Sequence, residues 1–127
     1  ATGAHLEYRW ADTRYAVMRS NTILAEIFRQ NMKSLGREML TDPDKPVFST
    51  DMGNVSQLAP TISPFFSIAP VEVSHHTPQF AEAAASKAGI QGMLDVAKAL
   101  ALTVTELVAN PEIVAKIKKE FEQQRGH

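Results

Sequence analysis

The sequence predicts an α/β fold, and three observations predict it. Aromatic residues alternate with polar ones over residues 4–10, as on one face of a strand. A short apolar run at 65–69 lies between prolines, as a buried strand would. Longer stretches at 21–36, 90–108 and 111–121 repeat their apolar residues at helical spacing. Short strands set among long helices pack as α/β layers.

Leu6, Tyr8 and Trp10 alternate with His5, Glu7 and Arg9, so the large side chains share one face. One strand is not a sheet, and nothing close in sequence pairs with it as a hairpin. It pairs either with a distant strand of this chain or with a sheet in residues not present, and Ala1-Thr2-Gly3, which carries no initiator Met and leads within a few residues into the strand, is a first hint that something precedes it. Residues 11–20 read as a linker. Ser20 or Asn21 then offers an N-cap. Ile23, Leu24, Ile27, Phe28, Met32 and Leu35 form the stripe of a core-facing helix, with Gly36 as its stop. Prolines make 41–46 a loop, 47–50 reads as a short strand, and 51–64 as mostly irregular. A further loop covers 70–77. From Phe80 the chain is helical and alanine-rich, with an interruption expected at Gly89. Ile90, Met93, Leu94, Ala97, Leu100, Ala101, Val104, Leu107 and Val108 give the clearest apolar stripe. Asn110-Pro111 ends that helix and begins another, with Asn110 as N-cap and Pro111 at the first helical position. Ile113, Val114, Ile117 and Phe121 form the face of this last helix, and Lys116, Lys118 and Lys119 favour its later turns.

A chain of 127 residues suits one domain, and 44% apolar with 21% charged residues is close to the globular average. The net charge of -1 argues against nucleic-acid binding, which needs an excess of Lys and Arg on one face. No apolar run approaches the ~20 residues that span a bilayer, so no membrane partner is expected. The absence of cysteine excludes disulfides, thiolate metal sites and a cysteine nucleophile, and fits the reducing cytoplasm taken as the expected location.

Candidate chemistry sits in two polar loops, each following a short strand-like run, where open α/β folds bind ligands. The first is Ser49-Thr50-Asp51-Met52-Gly53-Asn54-Val55-Ser56 and the second is Ser74-His75-His76-Thr77-Pro78-Gln79-Phe80. Imidazole is the commonest protein metal ligand, but adjacent histidines in an extended loop point apart and are more often exposed or hydrogen-bonded. Asp51, two residues before Gly53, suits a turn aspartate as well as a ligand contact, and Asn54 and Ser56 suit loop amides as well as a cleft. There is no His-x-Asp, no adjacent carboxylate pair, no H-E-x-x-H, no nucleophile elbow and no phosphate-binding glycine loop. These residues alone do not close a reaction centre.

The two loops, in this order and about twenty residues apart, resemble the C-terminal region of the aminoacylase/carnosinase metallopeptidases. The nearest resemblance is to the amidohydrolase branch with p-aminobenzoyl-glutamate hydrolases and a β-alanyl-lysine type dipeptidase. The resemblance extends over nearly the whole chain. It implies that residues 1–10 end an α+β lid, or dimerisation, domain, that 11–20 link, and that 21–127 form the C-terminal portion of a zinc-peptidase-like catalytic domain with helices on a mixed sheet. It further implies two divalent ions in the complete enzyme, zinc first and manganese or cobalt as alternatives. His76 takes the place of the family's last metal ligand through the Thr-Pro-aromatic pattern that follows it. His75, Thr50, Asp51 and Asn54 would line the same cleft, against substrate or behind the ligands. The substrate would be a dipeptide or an N-acyl, aminobenzoyl-type amino acid, and the assembly a homodimer through the lid. The remaining ligands and the general base would come from the N-terminal half, so the 127-residue piece alone is expected to be inactive. Two readings of other classes stand beside this one: an interaction module that kept the scaffold without the chemistry, and an unrelated α/β domain with incidental histidines.

Overall fold

The computed structural model describes residues 2–39, 50–70 and 72–125. Among them the chain forms five helices: α1 (Thr22–Ser34), α2 (Met52–Ser56), α3 (Pro78–Ala85), α4 (Lys87–Ala109) and α5 (Pro111–Arg125). The only β pairing among the described residues is an isolated parallel bridge between Ser20 and Thr61.

α1 starts and stops where the sequence says. Asn21 Oδ1 accepts from the Leu24 amide at 2.9 Å, the N-cap bond. At the other end Gly36 adopts φ 77°, the Gly36 amide donates to Lys33 O at 2.9 Å, and the Arg37 amide donates to Met32 O at 3.0 Å. That pair of bonds satisfies the last carbonyls, and the left-handed residue it requires is least costly as glycine. Ile27, Phe28 and Met32 on the predicted stripe are buried.

α1 packs on α4 around Phe28, Met32 and Ala99, with Leu35, Met39, Ile62 and Val96 around the rim. Two polar links flank this core. Asn31 Nδ2 donates to Thr103 Oγ1 at 3.1 Å, and Arg37 Nε donates to Asp95 Oδ2 at 2.9 Å. The Arg37 guanidinium, with the Gln91 amide beside it, holds the Asp95 carboxyl below its ordinary range.

α5 closes against the start of α1. Asn21 is 1% exposed, and its Nδ2 donates to Ile117 O at 3.0 Å while its Oδ1 caps α1. Glu120 reaches the first turn of α1: Oε1 accepts from the Thr22 amide at 2.6 Å and hydroxyl at 2.7 Å, and Oε2 from the Ile23 amide at 3.1 Å. A carboxylate there meets unpaired N–H groups and the positive end of the helix dipole. Burial pushes the Glu120 carboxyl up, but the Thr22 and Ile23 donors outweigh it and leave it below its ordinary value. Ile117 and Phe121, on the expected face of α5, are buried.

Several elements differ from the sequence expectation. Residues 4–10 form no strand, because a strand exists only where a neighbour accepts and donates. The alternation survives: Tyr8 and Trp10 meet edge to face at 6.1 Å, and both remain exposed. Residues 65–69 likewise form no strand. Of the strand expected at 47–50, residues 47–49 lie outside the described residues. Residues 52–56, expected to be irregular, form the short helix α2. The break before α4 falls at Ser86, whose hydroxyl accepts from the Gly89 amide at 3.1 Å, so Gly89 sits inside the first turn. Asn110 turns its side chain back onto α4, donating to Glu106 O at 2.9 Å, and so closes α4 as well as preceding Pro111 of α5.

Candidate functional site

The first loop is built onto the linker that precedes α1. Asn54 Oδ1 accepts from the Ala16 amide at 2.6 Å and its Nδ2 donates to Arg14 O at 3.0 Å. Ser56 Oγ accepts from the Arg19 amide at 3.0 Å and donates to Gly53 O at 2.6 Å. Gln57 Nε2 donates to Val17 O at 2.7 Å. Gly53 permits this approach, since a β-carbon there would overlap the Ala16 carbonyl oxygen. Thr50 Oγ1 accepts from the Met52 amide at 3.3 Å and lies 3.5 Å from Asp51 Oδ1. Asp51 is exposed and makes no side-chain cap to α2. Asp51 therefore stands exposed at the loop surface with the Thr50 hydroxyl against it, whereas both ends of the Asn54 amide are occupied by backbone. Ser49 lies outside the described residues.

The second loop is organised by Thr77. Its hydroxyl donates to Ser74 O at 2.7 Å and accepts from the Phe80 amide at 3.2 Å, capping α3, with Pro78 at the first helical position. The His75 ring lies over Phe80 at 4.6 Å between centroids, with the planes tilted by 46°. His76, immediately before the cap, has φ 62°, the one left-handed non-glycine residue among those described. An L-residue there costs roughly 1–2 kcal/mol, and such conformations cluster at functional sites. His75 and His76 are both exposed.

The expected site residues thus fall into two groups on different supports. Thr50, Asp51 and Asn54 ride on the 14–19 segment, and His75 and His76 stand at the start of α3. Among the described residues no three His, Asp or Glu side chains converge where a metal could bind. A catalytic ion needs about three protein ligands and an open position. The described residues do not fit a complete metal centre, and His76 offers at most one ligand. No helix among them is long and apolar enough to cross a membrane.

The polar residues that sequence reasoning missed hold the fold rather than a site. Asp95 is buried against Arg37, on the face of α4 that carries Gly92 and Ala99. Glu120 was masked by the lysines around it, because nothing local shows that α5 ends beside α1.

No protein-family model matches the chain. Over 124 residues, 95% of this chain, it is 35% identical to the Xaa-Arg dipeptidase of Mus musculus and 33% identical to the Xaa-Arg dipeptidase of Homo sapiens. The match spans 28% of the length of each of these relatives. The similarity to these two dipeptidases runs through nearly all of the present chain.

Proposed function

We propose that this chain is the C-terminal part of a metal-dependent amidohydrolase or peptidase that hydrolyses the amide bond of a dipeptide or an N-acyl amino acid. The carrying observation is the 35% identity to a dipeptidase over 95% of the chain. Because both relatives are Xaa-Arg dipeptidases, a dipeptide ending in arginine is the first substrate to offer. The fold proposed for the whole is α/β, with this chain supplying helices to a sheet formed elsewhere in the polypeptide, residues 1–10 ending a lid domain, and a homodimer formed through that lid.

In this reading His76 supplies one imidazole to a centre of two divalent ions, zinc in the first instance, and the other ligands and the general base lie outside this chain. Bound ions of this kind polarise an amide and acidify water. The chain's own contribution is to aim His76. The Thr77 cap fixes the start of α3, the left-handed backbone turns position 76 out of the helix, and both histidines reach solvent. Thr50 and Asp51 are proposed to contact substrate or to support ligands from the neighbouring loop, with Asn54 and His75 behind them.

The test uses the full-length protein. Its metal content is measured by plasma mass spectrometry and its turnover on an Xaa-Arg dipeptide by release of arginine. The His76→Ala variant is expected to lose one of two metal equivalents and to fall below about 1% of wild-type turnover. Unchanged metal content and turnover in that variant would remove His76 from the site. A full-length wild type with neither metal nor turnover would favour the interaction module.

A further inference from the structure

α2 packs against none of the other four helices among the described residues. The side-chain hydrogen bonds that join it and its C-cap Gln57 to the rest of the described chain all go to the linker at 14–19. The Asn54 amide takes Arg14 O and the Ala16 N–H, the two groups that one residue of a parallel strand would take. Gln57 takes Val17 O, and Ser56, itself fully buried, takes the Arg19 N–H. Gly53 lies so near the Ala16 carbonyl that no β-carbon fits between them. Past this clamp the linker is fixed to α5: Arg19 Nη1 donates to Gln124 O at 3.0 Å, and Gln124 Nε2 donates to Ser20 O at 3.1 Å. Residues 11–13, just before the clamp, are exposed and make no hydrogen bond among the described residues.

We infer that α2 is a coupling element: the loop that carries Thr50 and Asp51 takes its position from the linker, and residues 11–13 are the pivot for what lies before them. Asn54, Ser56 and Gln57 are then positioning residues, Asn54 first among them because it holds two backbone groups at once. A helix of five residues is too short to persist by its own bonds. Backbone groups of the linker, for their part, need partners that no strand supplies. Each therefore holds the other, and a change at one end must be felt at the other to the same degree. A hinge is a few residues that absorb torsion between two fixed bodies. Residues 11–13 meet that description, lying between the aromatic 6–10 segment and the first clamped group, Arg14 O. That a shift of residues 1–10 changes how Asp51 meets substrate rests on the hydrolase reading above; the mutual hold of linker and α2 does not.

Amide hydrogen exchange read by mass spectrometry on the full-length protein tests the coupling from both ends. Asn54→Ala is expected to speed exchange over residues 14–19 about tenfold. Ala16→Pro, which removes the donor to Asn54, is expected to speed exchange over residues 52–57 about tenfold, whereas Ala16→Gly, which keeps that donor, should stay within about twofold of wild type there. Gly53→Ala, which forces the two segments apart, should speed both. α1 and α4 are expected to exchange at wild-type rates in all four variants. Ala16→Pro without effect on residues 52–57 would overturn the inference, and so would acceleration that spreads through α1 and α4, since that is general loosening. On an Xaa-Arg dipeptide, Ala16→Pro should raise KM about fivefold and leave kcat within about twofold of wild type. Unchanged KM beside accelerated exchange would overturn the link to substrate. Exchange needs neither turnover nor metal, so failure of the coupling and failure of the hydrolase reading give different results.

Discussion

α1 and α4 both carry apolar stripes and put them to opposite uses. In α1 the stripe is the buried face, with Phe28 at 1% and Met32 at 0% exposure. In α4 the stripe looks outward, and the helix meets α1 through Ala99 and Thr103 instead, with Asp95 paired to Arg37 just past the end of α1. Periodicity tells which residues of a helix share a face; what covers that face depends on the other surfaces the chain brings near. The side of α4 with small residues lets α1 approach, and the bulky side is left for something larger.

The contrast is sharpest at Phe28 and Leu100. Phe28→Ala is expected to cost about 3–5 kcal/mol of stability, because it empties a filled core site. Leu100→Ala, at a residue 49% exposed, should cost under about 1 kcal/mol in the 127-residue chain. Urea unfolding of both variants measures the difference, and equal losses would show that α4 buries its stripe in solution. Next in size is Asn21. Asn21→Ala removes the α1 cap and leaves Ile117 O without its donor, for about 2 kcal/mol by the same measurement. Asn21→Asp should keep the cap bond while still losing the donor to Ile117.

Glu120 gives a pH-dependent comparison with its neutral isostere. Its folded carboxyl lies below the ordinary value, so its contribution is present above the unfolded carboxyl's pKa and is lost as pH falls through the folded one. Glu120→Gln should therefore destabilise by about 0.5–1 kcal/mol near neutrality and by progressively less through the acid limb. An unchanged acid limb in thermal melts would mean that the carboxylate does not cap α1. The smallest effect is expected at the strained loop. His76→Gly should leave the melting temperature unchanged or raise it, by up to about 0.5 kcal/mol of stability, since glycine adopts the left-handed region freely. A clear loss would mean that the His76 ring itself stabilises the fold.

The parts legible in the sequence were those decided locally. Asn21, Gly36 and Pro111 mark helix ends through bonds and torsions within a few residues, and each does so in the structure. The expected strands at 4–10 and 65–69 needed partners, and alternation of Leu6, Tyr8 and Trp10 says only that one face would be covered. α2 was hidden because a five-residue helix holding Gly53 and Asn54 has little propensity of its own and is fastened from the 14–19 segment. The two polar loops were visible as sequence, and the left-handed torsion of His76 was not, since it arises from the Thr77 cap and the path into α3.

The corner where Asn21 meets Ile117 and Thr22 meets Glu120 joins positions 96 and 98 residues apart. During synthesis on a ribosome, the polar groups at the head of α1 must therefore wait through those 96 to 98 residues before their carbonyl and carboxylate partners emerge. Until that moment α1 can already lean on α4, but the amides at its head are met only by the Asn21 cap and by water, and a stop codon around position 116 would leave that end of the helix open permanently.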